Sequence, residues 1–368
     1  MMHGQIGSSN EAAFARLLAE RAGDYFAEFR QIDPVIQTVR AVQRPFSELY
    51  EYTLQACDVQ QAVIVKVPFL DKSRPPAQAD RPRLFPPVAA RDMAALECHT
   101  MRTLERHFTE VNDQRFGSVR VLDFVRDPDA IVMQKVDGVT LRSLLEDARK
   151  QRDYACGEVF HNTGRWLREL HSLSGHEHTQ ERTVTRTEFA EASLQFVEYL
   201  ARFNPPRWLK PLGEQLLREA ETHLPDLLPL GLAHGDFAPR NVIVSPPGRV
   251  TVLDTLARWR APIYEDIALF LVSKRLTQAM ATVFAWDSPK ISQWSHEFLS
   301  GYFGDASIPQ QAIRVFICQA LLDRWCSYVS RPRPGKLSNR LQAAGKLHIL
   351  KRFARRSLNR DFCGAAPD

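Results

Sequence analysis

The octet His234-Gly235-Asp236-Phe237-Ala238-Pro239-Arg240-Asn241, followed by Val252-Leu253-Asp254, carries the residue types with the clearest chemistry in this chain. Its pattern is H-G-D-x-x-x-x-N, an apolar strand, then an Asp. One loop thus supplies a carboxylate and a carboxamide, and the end of the next strand supplies a second carboxylate. Phosphoryl transfer uses such a set. One Asp orients the attacking hydroxyl and accepts its proton, while the Asn and the second Asp hold Mg²⁺ against nucleotide phosphates. The competing reading, a solvated loop with a chance Asp and Asn, does not account for the whole octet followed by a strand and Asp254.

Further residues fit the same chemistry less specifically. Lys66 lies inside Ala62–Val67 (AVIVKV), an apolar, β-branched run. A buried Lys needs an anion, whereas a Lys at a strand end points to water. A strand Lys ahead of an acid-bearing helix is how kinases hold the α- and β-phosphates. Glu97, in the middle of that helix, is the natural partner, with Glu105 two turns later as the alternative. Gln134 and Val136, in Met133-Gln134-Lys135-Val136, end a strand whose backbone can meet an adenine edge. Ser47 offers a hydroxyl and a backbone N–H to a phosphate. His234 can pin the loop through the backbone, and Pro239 stiffens it. Asp266 reads first as an acid favoured by a helix N-terminus and second as a further pin for the loop.

These residues need elements to hold them. Apolar spacing predicts a helix over 11–31, strands over 35–42, 49–55 and 62–67, and a helix over 89–108. Six prolines in 68–88 make that stretch a loop or insertion. Strands follow over 119–125 and 130–136. After Asp137-Gly138 the pattern is helical over 140–150, 154–173, 187–203 and 208–222. Two short strands (241–245 and 250–254) flank the turn Pro246-Pro247-Gly248, and helices return over 264–283, 289–303, 308–330 and 337–358. The expected fold is α+β, with a small β-rich nucleotide lobe and a larger helical catalytic lobe. The expected divisions are 1–34, an N-terminal helical extension; 35–138, the nucleotide lobe; 139–330, the catalytic lobe; and 331–368, a basic tail.

Composition bounds the class. The 368 residues are 44% hydrophobic and 25% charged, the balance of a soluble globular protein. Met1-Met2-His3-Gly4-Gln5 has neither a basic nor an apolar leader region, so no signal peptide is expected. No apolar run reaches membrane-spanning length. Cys57, Cys98, Cys156, Cys318, Cys326 and Cys363 form no C-x-x-C pair, which fits reduced thiols in a cytoplasm. His171, His176 and His178 cluster, but without the spacing of a metal site. The net charge of +5 is local, because residues 331–360 hold ten Lys/Arg and no Asp/Glu. Residues 337–358 read either as a helix packed on the catalytic lobe with a solvated basic face, or as an amphipathic helix on an anionic membrane or glycolipid. The second reading would place the protein at the inner face of the membrane. With basic charge confined there and aromatics sparse, no nucleic-acid partner is expected.

The chain resembles the aminoglycoside phosphotransferase and choline kinase superfamily, which has the protein-kinase-like two-lobed fold. The residues that carry the resemblance are Lys66, Glu97, Val132 to Gly138, Gly164 to His171, the octet, Asp254 and Tyr264 to Ala268. It implies ATP and Mg²⁺ as cofactors, Asp236 as catalytic base, Asn241 and Asp254 as Mg²⁺ ligands, and Lys66 with Glu97 as phosphate clamp. The implied reaction is transfer of the γ-phosphoryl group to a hydroxyl of a small polar molecule: a sugar, a glycoconjugate, an aminoglycoside-like compound or an amino alcohol. Three departures are plain. Arg44-Pro45-Phe46-Ser47-Glu48 stands where the family has a glycine-rich turn. Thr255-Leu256 follows Asp254 in place of Phe-Gly. Gly235 and Ala238 replace the Arg and Lys of protein kinases, which favours a small-molecule acceptor. Glu188-Phe189-Ala190-Glu191 and the acids near 214–226 are candidates for meeting substrate ammonium groups. The glycine-free turn is the best support for the rival reading, a catalytically silent scaffold with this fold.

Overall fold

The computed structural model describes residues 8–44, 47–68, 80–85, 90–147, 154–175, 179–281, 289–330 and 337–357. Several sequence expectations lie outside the described residues: the N-terminal Met1 to Gln5, Pro45-Phe46 of the expected glycine-free turn, most of the proline-rich stretch, His176 and His178, and the chain beyond Ser357 with Cys363. The chain forms two compact units. The first comprises Met1–Ser73, Pro87–Asp113 and Gly117–Asp137, and the second Arg74–Pro86, Gln114–Phe116 and Gly138–Asp368. The fold is α+β, β-rich in its N-terminal part and helical in its C-terminal part.

The first unit is built on helix α1 (Ser8–Tyr25), strands β1 (Val35–Arg44), β2 (Ser47–Ala56) and β3 (Val59–Pro68), helix α2 (Ala90–Val111), and strands β5 (Val121–Val125) and β6 (Ala130–Gln134); a two-residue strand, β4 (Phe116–Gly117), falls at the division. The sheet order is β1-β2-β3-β6-β5, antiparallel throughout, with a register shift in β1 between Thr38 and Arg40. Side chains alternate across a strand, and β3 uses this directly. Val63, Val65 and Val67 are buried in one core with Tyr50, Tyr52 and Leu54 of β2 and Phe14, Leu18 and Ala22 of α1. Lys66 therefore points to the other face. The helix expected over 11–31 ends at Tyr25 and continues only as a 3-10 turn, Ala27–Phe29.

The second unit opens with β7 (Val139–Thr140), α3 (Leu141–Glu146), α4 (Cys156–Ser172), β8 (Gln180–Glu181), α5 (Arg186–Ala201) and α6 (Leu209–His223). It continues with β9 (Leu230–Ala233), β10 (Val242–Ser245), β11 (Arg249–Val252), β12 (Trp259–Pro262), α7 (Ile263–Ala281), α8 (Pro289–Phe303), α9 (Gln310–Val329) and α10 (Leu337–Arg356). β10 pairs antiparallel with β11 and β7, and β12 pairs antiparallel with β9 and parallel with β8. The sequence patterns miss β4, β7, β8, β9 and β12, short strands of two to four residues, whereas the equally short β10 and β11 are marked by the Pro246-Pro247-Gly248 turn between them. The helix expected over 140–150 ends at Glu146, and Thr140 caps its start by accepting the Ser143 N–H at 3.1 Å.

Two helices cross closely where glycines allow it. A Cβ on Gly164 of α4 would lie 2.0 Å from the Phe298 carbonyl oxygen, and one on Gly301 of α8 would lie 1.9 Å from the His161 carbonyl oxygen. The close approach brings His171, at the end of α4, onto Tyr302, at the end of α8. In α10 the residues Ile349, Leu350, Phe353 and Ala354 are buried, while Arg352, Arg355 and Arg356 are exposed. The helix packs on α9 and α7. These four apolar side chains are covered by protein and so are not a face that could sink into lipid. Among the described residues, no helix is long and apolar enough to cross a membrane.

Candidate active site

The octet forms the link between β9 and β10. His234 and Gly235 make its turn, with Gly235 at φ +82°, a conformation natural for glycine. Phe237 is fully buried and anchors the loop among Trp166, Phe270, Phe298 and His234, with ring centroids 5.2–6.4 Å away. Pro239 opens a 3-10 turn that ends at Asn241. The four unspecified positions of the octet thus carry the anchor and the bend, and the chemical residues stand on either side of them.

Asp266, buried in the first turn of α7, holds the loop from beneath. Its carboxylate accepts the backbone N–H of His234 at 2.6 Å and of Gly235 at 3.0 Å, and lies 3.3 Å from Nε2 of His171. Nδ1 of His171 in turn lies 2.7 Å from the Tyr302 hydroxyl. Burial alone would raise the Asp266 pKa. The hydrogen bond and charge of His171, together with His234, outweigh it and hold the carboxyl below its ordinary value. Of the two sequence readings of Asp266, the loop pin describes its contacts, and the first-turn position makes them reachable.

His234 ties the loop to the following strand. Its Nε2 lies 3.0 Å from the Leu253 carbonyl oxygen, and its Nδ1 lies 3.3 Å from the Asp236 backbone N–H. Both contacts are satisfied together when Nε2 carries the proton and Nδ1 accepts. Burial depresses the His234 pKa, which keeps the ring neutral. The Asn241 carbonyl oxygen accepts the Leu253 N–H at 2.8 Å, and its side-chain Nδ2 donates to the Asp236 carbonyl oxygen at 2.9 Å. Leu253 is therefore clasped by both ends of the octet. Asp254 follows at φ +60° and Ala257 at φ +49°. Two non-glycine residues in the left-handed region within four positions mark a strained segment.

Asp236 itself is about half exposed, at 45% of its side-chain surface. Arg240, one 3-10 turn on, donates to its Oδ2, and Nη2 of Arg324 from α9 stands 3.6 Å from its Oδ1. The sequence reading missed both arginines; the only signal was the Arg inside the octet.

In the first unit, Lys66 Nζ donates to Glu97 Oε1 at 2.5 Å, with side-chain exposures of 12% and 2%. Of the two acids the sequence left open, Glu97 is the one that meets Lys66. Gln134 ends β6 with its N–H on the Arg120 carbonyl oxygen, and the Lys135 N–H donates to the Ala62 carbonyl oxygen at 2.9 Å. The ladder thus occupies the Gln134 N–H, and Val136 is the first residue beyond it. Ser47 starts β2, buried, in register with Arg44 and Pro68.

Asn241 and Asp254 offer an amide oxygen and a carboxylate oxygen, hard donors of the kind Mg²⁺ takes. Among the described residues, no group of three His, Cys, Asp or Glu side chains could hold a metal alone. Mg²⁺ is commonly bound by one or two carboxylates, with substrate phosphates and water supplying the rest. Glu188, a sequence candidate for meeting substrate ammonium groups, closes a capping box instead: it accepts the N–H of Val184 at 2.6 Å and of Thr185 at 2.9 Å.

Comparison with known proteins identifies relatives of this arrangement. The family model described as "Phosphotransferase enzyme family" matches residues 83–305, more than half of the chain. No curated protein matches it by sequence. Among solved structures, spectinomycin phosphotransferase APH(9)-Ia, in complex with ADP and spectinomycin, aligns with a TM-score of 0.54 at 12% identity, over 94% of this chain and 99% of its own. Macrolide 2'-phosphotransferase MphH from Brachybacterium faecium aligns with a TM-score of 0.50 at 16% identity, over 92% and 97%. A choline kinase from Cryptosporidium parvum Iowa II aligns with a TM-score of 0.50 at 10% identity, over 94% and 97%. At such identities the likeness is one of fold.

Proposed function

The chain belongs to the phosphotransferase enzyme family, and from that premise we propose that it moves the γ-phosphoryl group of ATP to a hydroxyl of a small polar molecule. The observation that carries this reading is the clasped loop, in which Asp236 and Asn241 stand on one rigid turn tied at Leu253 to Asp254. The names of the structural neighbours, two antibiotic phosphotransferases and a choline kinase, support a small acceptor, and the ADP held by one of them supports a nucleotide donor.

In this reading Asp236 accepts the acceptor's hydroxyl proton and aligns its oxygen for in-line attack. Asn241 and Asp254 are the ligands for Mg²⁺, which when bound neutralises charge on the nucleotide phosphates. Lys66, oriented by Glu97, is the cation for the nucleotide phosphates, with the Ser47 hydroxyl and the backbone at Gln134 and Val136 as further nucleotide contacts. His234 and Asp266 touch no reactant and act by positioning. Pre-set charges and geometry supply most of the rate in such a reaction. The five described cysteines are free, which supports a cytoplasmic setting with reduced thiols and ready ATP. A membrane contact is not part of this reading.

Thermal melting with ATP, with and without Mg²⁺, on the parent and on Asp254→Ala tests the assignment, because a ligand that binds only the folded state raises its melting temperature.

A further inference from the structure

Aminoglycosides are polycations, and a site that takes them needs uncommitted carboxylates. The surroundings of Asp236 are of the opposite kind. Arg240 and Arg324 both reach its carboxylate, from the 3-10 turn and from α9. Phe85 lies against Gly235, where a glycine Cβ would meet its ring at 3.5 Å, and the Arg182 guanidinium sits over that ring at 5.0 Å from its centroid. Asp323, beside Arg324, feels the charges of Arg81, Arg83 and Arg324 and accepts the Leu84 backbone N–H. Arg240 and Arg324 thus meet at one exposed carboxylate, with Arg81 and Arg83 near Asp323 and Arg182 over Phe85 beside them.

The acids on this side are already engaged. Arg182 grips both oxygens of Glu265, at 2.5 and 2.6 Å. Asp323 is buried among the arginines just named, and Asp80 pairs with Arg202 at 2.8 Å. At Asp236 itself two guanidiniums meet one carboxylate, which leaves a local positive excess at the group that must receive the hydroxyl. The buried Nε atom of Arg324 also has no hydrogen-bond partner. An orphaned guanidinium N–H is costly to bury and is satisfied by an oxyanion.

We propose that the acceptor is an anion: a hydroxyl compound carrying a carboxylate or phosphate group, recognised by Arg324 with Arg240 beside Asp236. This rests on the phosphotransferase reading above and names its substrate class. In the reaction the acceptor oxygen bonds to the γ-phosphorus as the bond from that phosphorus to the β,γ-bridging oxygen breaks. The electron pair leaves with ADP, and the hydroxyl proton passes to Asp236. The acceptor's own anionic group takes over the arginines, which frees the Asp236 oxygens for that proton. A polycationic acceptor would meet repulsion at the same place.

The test is melting of the full chain with saturating Mg²⁺·ADP, so that the nucleotide site is filled. Probes are inorganic phosphate, D-glucuronate and glucose 6-phosphate as anions, glucose as neutral control, and choline and kanamycin as cations. The Mg²⁺·ADP shift alone tests the phosphotransferase reading, and the additional shift with each probe tests the acceptor class. The expected result is a further rise with the anionic probes only. It should fall by about 10-fold in apparent affinity in Arg324→Gln, the loss expected for one charge-assisted contact, and be partly rescued in Arg324→Lys. Glucuronate against glucose 6-phosphate tells a carboxylate from a phosphate. No rise with any anion, a larger rise with kanamycin or choline, or an anion shift of unchanged affinity in Arg324→Gln would overturn the proposal.

Discussion

The Asp266 carboxylate accepts the His234 backbone N–H at 2.6 Å, and this bond joins the first turn of α7 to the first residue of the octet. The same carboxylate takes the Gly235 N–H and meets His171, so one side chain sets both the height and the tilt of the turn that presents Asp236. Asp266→Asn keeps the volume but turns one acceptor into a donor facing N–H groups. The expected cost is about 2–4 kcal/mol, since buried donors are left without a partner, and denaturant unfolding at neutral pH measures it. The Asp266 pKa is held below the ordinary Asp value, so its contribution is present above that value and lost as pH falls through the lowered one. The gap between Asp266→Asn and the parent should therefore close in acid, and a gap independent of pH would show that Asp266 is not an ionised pin.

Glu265 predicts the opposite pH trend. Burial pushes its pKa up from 4.5 to about 7, against the pull of Arg182. Across that window the folded protein keeps a proton that the unfolded chain has released, so stability falls as pH rises from 4.5 to 7. Glu265→Gln cannot titrate, and its melting temperature should run flatter than the parent's over this range. Parallel curves would mean that Glu265 stays ionised beside Arg182 throughout.

Gly235→Ala separates backbone strain from crowding. The added Cβ would meet Phe85 at 3.5 Å, an ordinary contact, so the cost comes from φ +82° alone. Roughly 1–2 kcal/mol is expected for an L-residue in the left-handed region, and less for Gly235→Asn, which tolerates it better. Equal stability losses in the two variants would point to contacts rather than conformation.

The Lys66–Glu97 pair is buried enough for a double-mutant cycle to resolve. Removing one partner leaves the other charge uncompensated, at a cost of about 3–5 kcal/mol, whereas Lys66→Met with Glu97→Leu should recover much of that loss. The double variant should fold yet bind ATP poorly. Strictly additive losses would show that the two side chains do not interact.

Much of this was legible in the chain. AVIVKV signalled a strand but left open whether Lys66 met an anion or pointed to water, which the packing of Val63, Val65 and Val67 decides; the octet signalled a loop because its residue types admit few alternatives. Elements with a full period, such as α2, α4 and α9, were readable for the same reason. The short strands β8, β9 and β12 were not, since pairing with distant segments defines them and they have no period of their own. The Tyr302–His171–Asp266 relay was hidden likewise: His171 looked like part of a histidine cluster, and only the close crossing of α4 and α8 brings Tyr302 to it. Arg324 sits inside a helix buried on nearly every side, where sequence patterning marks core and not chemistry.

The most direct measurement of the central claim is the melting temperature with ATP, with and without Mg²⁺, in the parent and in Asp254→Ala. A phosphotransferase site predicts a Mg²⁺-dependent rise in the parent that disappears when Asp254 is removed; at ATP one hundred times its dissociation constant the stabilisation would be about 2.7 kcal/mol. No shift in the parent at any Mg²⁺ concentration would contradict the assignment and leave a kinase-like scaffold that does not use ATP.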